Sequence, residues 1–167
     1  MRIRTTALGL ALALVAGTAA AHDHAGTTLS PNDPKAKEIA SLFDRWNAAL
    51  ATGNPKTVAA LYAPNGVLQP TVSNEVRVGP AAIERYFVDF LKAKPQGVID
   101  FREIRMLDAD TALDAGVYTF TLTKDGKPVK VQARYTYLYE MVGGEWKIMN
   151  HHSSAMPEPV PASIANK

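Results

Sequence analysis

The chain has no cysteine. Disulfide stapling, thiol catalysis and cysteine-bearing metal sites are therefore excluded. Long apolar runs are scarce too. The run at residues 7–16 (ALGLALALVA) falls short of the ~20 residues a membrane-spanning helix needs, and no later stretch approaches that length. A surplus of one charge is also missing from most of the chain. Arg2 and Arg4 account for the whole formal net charge of +2, which leaves the rest neutral. No basic field remains to attract nucleic acid or an anionic membrane surface.

Those two arginines belong to a recognisable segment. A positive start, an apolar centre and small residues at Ala19 and Ala21 form the pattern of a cleavable secretory signal over residues 1–21. The expected location is periplasmic or secreted, with no membrane attachment after cleavage. The remainder has the size of one domain and is long enough to bury a core without cross-links.

Residues 22–32 are small and polar and are expected to form a flexible leader. Asp33-Pro34 then reads as a cap followed by a first-turn proline. Ile39, Leu42, Phe43, Trp46, Ala49 and Leu50 follow at helical spacing, and Gly53 ends the helix. Asn54-Pro55 repeats the device for a short second helix. Pro64-Asn65-Gly66 reads as a turn, residues 66–71 as a short strand and 72–78 as a loop. Gly79-Pro80 opens a third helix with Ile83, Tyr86, Phe87, Phe90 and Leu91 on its apolar face, and Pro95 breaks it.

Four strands are expected after that, over 98–107, 111–123, 129–141 and 145–154, with hairpin turns at Asp125-Gly126 and Gly143-Gly144. In the third, Val131, Ala133, Tyr135, Tyr137 and Tyr139 share one face, and Gln132, Arg134, Thr136 and Leu138 the other. Residues 157–167, rich in proline, read as an extended tail. The expected domain, 33–156, is α+β: about three N-terminal helices packed on a strongly curved antiparallel sheet, with a pocket inside the curve.

The densest polar cluster is Asn150-His151-His152-Ser153-Ser154. Neighbouring strand residues face opposite ways, so the two histidines cannot share one pocket or one metal. One is expected to face a pocket and the other a subunit interface; alternatively, both bond to adjoining strands. Arg134, mid-strand, either recognises a carboxylate ligand or pairs with Glu103 or Asp100. Trp46, Tyr62 and Tyr86 belong to core-facing surfaces, and buried tyrosine hydroxyls need partners, which makes them pocket candidates. An isomerase-like proton transfer needs a carboxylate base in an apolar pocket. Asp44, about 200° round its helix from Trp46, faces solvent, and Asp89 is off its helix's apolar stripe. Asp100 and Asp114 remain as possible bases. Cleavage after Ala21 would expose His22-Asp23-His24, a square-planar Cu(II) or Ni(II) motif or else an accidental tripeptide. No metal or other cofactor is otherwise expected.

Ala133-Arg134-Tyr135-Thr136-Tyr137, Gly144-Glu145-Trp146-Lys147-Ile148 and His151-His152-Ser153-Ser154-Ala155-Met156-Pro157-Glu158 resemble the C-terminal half of bacterial relatives of the calcium/calmodulin-dependent protein kinase II association domain. Trp46-Asn47-Ala48-Ala49-Leu50, Leu61-Tyr62-Ala63 and Tyr86-Phe87-Val88-Asp89-Phe90-Leu91 extend the resemblance over about residues 35–158. It implies the cone-shaped nuclear transport factor 2-like (SnoaL-like) fold and self-association through the sheet as a homodimer or larger ring. In the kinase, arginines line a pocket for small carboxylates; Tyr137 and Ser153 stand at two of those positions, and His152 at a histidine of the closing strand. The pocket candidates are thus Trp46, Tyr62, Tyr86, Arg134, Tyr137, His151 and His152. The expected function is an exported, self-associating, non-catalytic domain with a pocket for a small ligand. The alternative is a small enzyme of the polyketide-cyclase or ketosteroid-isomerase type that uses a pocket carboxylate with tyrosine and histidine. A third possibility is a periplasmic metal- or ligand-delivery protein.

Overall fold

Helix α1 (Pro34–Ala51) begins where Asp33 Oδ1 accepts the Lys35 N–H at 2.8 Å, and α2 (Pro55–Ala59) begins the same way at Asn54. The computed structural model describes residues 26–158. The expected signal segment, the His22/His24 motif and most of the expected tail lie outside them. Within them the order is β1 (Thr27–Thr28), α1, α2, β2 (Tyr62–Gln69), β3 (Arg77–Val78), α3 (Pro80–Phe90), β4 (Gln96–Met106), β5 (Thr111–Lys124), β6 (Lys127–Val142) and β7 (Glu145–Ala155).

The strands form one sheet in the order β1-β4-β5-β6-β7-β2-β3. The four long strands are the expected meander. Both hairpin turns place their central residues at positive φ, Asp125 at 52° and Gly126 at 74°, which matches the twist of the flanking strands. Helices α1 and α3 cover one face of the sheet. Their apolar stripes meet Tyr118, Phe120, Ala133, Tyr135, Tyr137 and Tyr139, all buried. Asn47 pins α1 to β4 in both directions, donating to the Gly97 carbonyl at 3.0 Å and accepting its N–H at 2.8 Å.

Three expectations need correction. Thr27–Thr28 of the supposed leader is a strand paired with β4; it covers the otherwise open edge of that strand. Pro64-Asn65-Gly66 is not a turn between elements but an irregularity inside β2, where the register jumps between Tyr62 and Val67. Finally, the sheet is not wholly antiparallel: β2 runs parallel to β7, so Leu68 lies beside His151.

Candidate functional site

The register of the sheet assembles a cavity between α3 and the inner faces of β5, β6 and β7. Its walls include Trp46, Leu68, Tyr86, Phe87, Tyr118 and His151, with Thr71 and Ser153 among the polar contributors. Its inner space is small, about 50 Å³, and adjoins a broader cleft of about 600 Å³ at Val72, Tyr86, Phe90 and Leu122.

The polar groups of the cavity form two short chains. Trp46 Nε1 donates to the Tyr62 hydroxyl at 3.3 Å, and that hydroxyl lies 3.0 Å from His151 Nδ1. Among the described residues Nδ1 is the acceptor within reach of the tyrosine's own proton, so that proton goes to Nδ1. The imidazole is then the tautomer that carries its hydrogen on Nε2. That Nε2 is buried and has no partner among the described residues. Burial, with a smaller contribution from neighbouring His152, pulls the His151 pKa down to about 3. The ring is neutral, stacked on Tyr137 at 4.1 Å between centroids. In the second chain the Tyr118 hydroxyl donates to Ser153 Oγ at 2.6 Å, and Ser153 Oγ also contacts Thr71 Oγ1.

The depressed histidine has a consequence for stability. Unfolded His151 takes up a proton near pH 6.5, and the folded ring does not until about pH 3. Its contribution is complete above the unfolded value and is lost as the pH falls below it. Between pH 7.5 and 5 the loss is about 2 kcal/mol. Urea unfolding at the two pH values measures it, and His151→Gln is expected to flatten that dependence. An unchanged slope in the variant would contradict the assignment.

The buried carboxylate lies elsewhere. Asp114 is fully buried; its Oδ1 accepts from the Tyr135 hydroxyl at 2.9 Å and from Arg102 Nε at 3.2 Å. Burial raises the Asp114 pKa, and Arg102 and Tyr135 restrain the rise. Burial draws Arg102 down, but Asp114 and Tyr135 draw it up further, so the guanidinium stays charged. Asp114 is not part of the cavity wall. Asp100, the other candidate base, is exposed and accepts from Thr119 at 2.7 Å and Gln132 at 3.0 Å.

Of the seven candidate residues, Trp46, Tyr86 and His151 line the cavity, Tyr62 bonds behind it, and Tyr137 stacks behind His151. Arg134 and His152 do not join them. Both are exposed on the opposite face of the sheet, where they border a shallow hollow with Thr136 and Ser154. The reason is pleat alternation: each is adjacent to an inward residue, Ala133 or His151. Nor does Arg134 pair with the expected acids, since Glu103 binds Arg105 at 2.5 Å and Asp100 is engaged as above. Sequence reasoning missed Tyr118, Ser153 and Thr71 as a hydroxyl cluster, and Arg102 as the partner of Asp114. Among the described residues no group of three His, Asp or Glu is placed to hold a metal ion.

Comparison with known proteins places this arrangement. Residues 35–157 match the family model of the calcium/calmodulin dependent protein kinase II association domain. A solved structure from Xanthomonas campestris assigned to that association domain is 64% identical, covers 78% of this chain and 94% of that one, and superposes with a TM-score of 0.76. A nuclear transport factor 2-like protein from Novosphingobium aromaticivorans shares the fold at 13% identity, with 79% and 88% coverage and a TM-score of 0.63. A steroid Δ-isomerase from Nocardioides simplex is 37% identical over 57 residues, 34% of this chain; the match spans just under half, 46%, of that relative. The fold is thus nuclear transport factor 2-like, and the chain belongs to the calcium/calmodulin dependent protein kinase II association domain family.

Proposed function

We propose that the protein is an exported, self-associating, non-catalytic domain that holds a small, largely apolar ligand through a hydrogen-bond acceptor. One observation carries the binding half: a neutral imidazole, His151, lines an apolar cavity with its Nε2 buried and unpaired among the described residues. A buried donor without a partner costs about 1–3 kcal/mol, and a carbonyl or hydroxyl oxygen of a ligand relieves that cost. Among the described residues the cavity wall has no carboxylate to abstract a proton, and a histidine held near pKa 3 is a poor base at neutral pH.

Self-association is supported by the family and by the outer face of the sheet. There Phe101 and Val98 are 60% and 66% exposed, beside half-buried Leu113, Ala115 and Val117. Export rests on the signal pattern of residues 1–21.

Light scattering at micromolar concentration tests association: a dimer or larger assembly is expected, and Phe101→Glu is expected to break it. A monomeric parent protein contradicts it. The isomerase-type alternative draws on the partial match to the steroid Δ-isomerase. Turnover of a Δ5-3-ketosteroid by the parent protein would replace the binding reading with that one.

A further inference from the structure

The mouth of the cavity carries a charge that the cavity itself lacks. Val72, Tyr86, Phe90 and Leu122 belong both to the cavity wall and to the broader cleft outside it, so the two spaces adjoin. Arg77, on β3, lines the outer cleft, as do Arg85 and Asp89. Asp89 is already paired with Lys92 at 2.6 Å. The Arg77 side chain is only 18% exposed, and its guanidinium carbon sits 6.0 Å from the centre of the Tyr86 ring.

The partners of Arg77 are weakly held. One terminal nitrogen contacts the Glu75 carboxylate, whose side chain is 70% exposed; the other donates to Ser73 Oγ at 3.1 Å. Its Nε is buried with no partner among the described residues. A guanidinium offers a planar fork suited to two carboxylate oxygens. Here that fork is occupied by an exposed glutamate from the neighbouring loop, which an incoming anion can displace at little cost.

Building on the proposed ligand-binding cavity, we propose that Arg77 is the anion-recognition site of that cavity, so that the ligand is an amphipathic carboxylate. Its head group replaces Glu75 on Arg77, and its slender, largely apolar body passes Tyr86 and Phe90 into the aromatic interior, where an oxygen at its far end accepts from His151 Nε2. The small inner space selects a linear chain or a single small ring over a bulky polycyclic body. This head-group position differs from Tyr137 and Ser153, the interior positions at which the kinase resemblance places arginines.

Octanoate and octan-1-ol, titrated against tryptophan fluorescence, separate the claims. Octanoate is expected to bind the parent protein more tightly than octanol. Arg77→Gln should weaken octanoate at least tenfold and leave octanol unchanged. Glu75→Gln, which removes the competing carboxylate, should tighten octanoate severalfold. Equal octanoate affinity in the parent protein and Arg77→Gln overturns the inference while leaving the cavity reading intact. An equal loss of both probes in Arg77→Gln also overturns it, because Arg77 then only holds the loop. If neither probe binds the parent protein, the cavity reading fails and the inference fails with it.

Discussion

Arg102→Met is expected to destabilise the protein by about 3 kcal/mol at pH 7, because it strands a buried charge. Asp114 is fully buried, with Oδ1 shared between Tyr135 and Arg102. Without the guanidinium, the carboxylate has a cheaper course than staying ionised: it takes up a proton. From a reference value of ~3.9, that course caps the loss at about 4 kcal/mol at pH 7. The folded variant then binds a proton that the unfolded chain does not, so its stability rises as the pH falls. The deficit relative to the parent protein is expected to shrink by about 2 kcal/mol between pH 7 and pH 5. Arg102→Met combined with Asp114→Leu, which removes both charges, should recover most of the loss. Urea unfolding of the three proteins at both pH values provides the comparison. A deficit independent of pH would mean that Asp114 is not the group exposed by the substitution. A structural Asp114 also fits a cavity that binds without a carboxylate base.

Gly116→Ala is expected to cost about 3 kcal/mol or more, the upper range for overpacking, or to prevent folding altogether. A Cβ at Gly116 would lie 1.9 Å from the Phe101 carbonyl oxygen and 2.8 Å from its carbon. Those are backbone atoms, which cannot swing aside as a side chain would. The crowding has a cause in the sheet: β4 carries an extra residue against β5, with Ile99 opposite Tyr118 but Phe101 opposite Val117. That bulge presses β4 onto Gly116, and Gly116 sits midway between Asp114 and Tyr118, which serve the ion pair and the cavity. Thermal unfolding of Gly116→Ala measures the effect. A variant as stable as its parent would show that the β4 bulge relaxes freely.

The same bulge explains part of what the sequence concealed. Inward alternation from Gly97 predicts Ile99, Phe101 and Glu103 on the inner face. The extra residue instead turns Arg102 and Ile104 inward and Phe101 outward. The partner of Asp114 was hidden by a one-residue shift that no periodicity announces. The Tyr118–Ser153 contact was hidden differently, by 35 residues of separation that only the register of β5, β6 and β7 closes. The parallel pairing of β2 with β7 is likewise long-range. Local physics was legible: the cap-and-proline starts at Asp33 and Asn54, the hairpin glycines, and the inward face of β6 from Val131 to Tyr139 all depend on near neighbours. The opposite facing of His151 and His152 was legible for the same reason. Which of the two faced inward was not, because that depends on where the helices lie.

Native mass spectrometry of the purified protein tests the central claim of a self-associating ligand-binding domain most directly, since it reports stoichiometry and retained small molecules together. The expected spectrum shows a dimer or higher assembly whose subunits carry added mass that His151→Gln diminishes. A monomer at the bare mass of the chain would contradict both halves of the account.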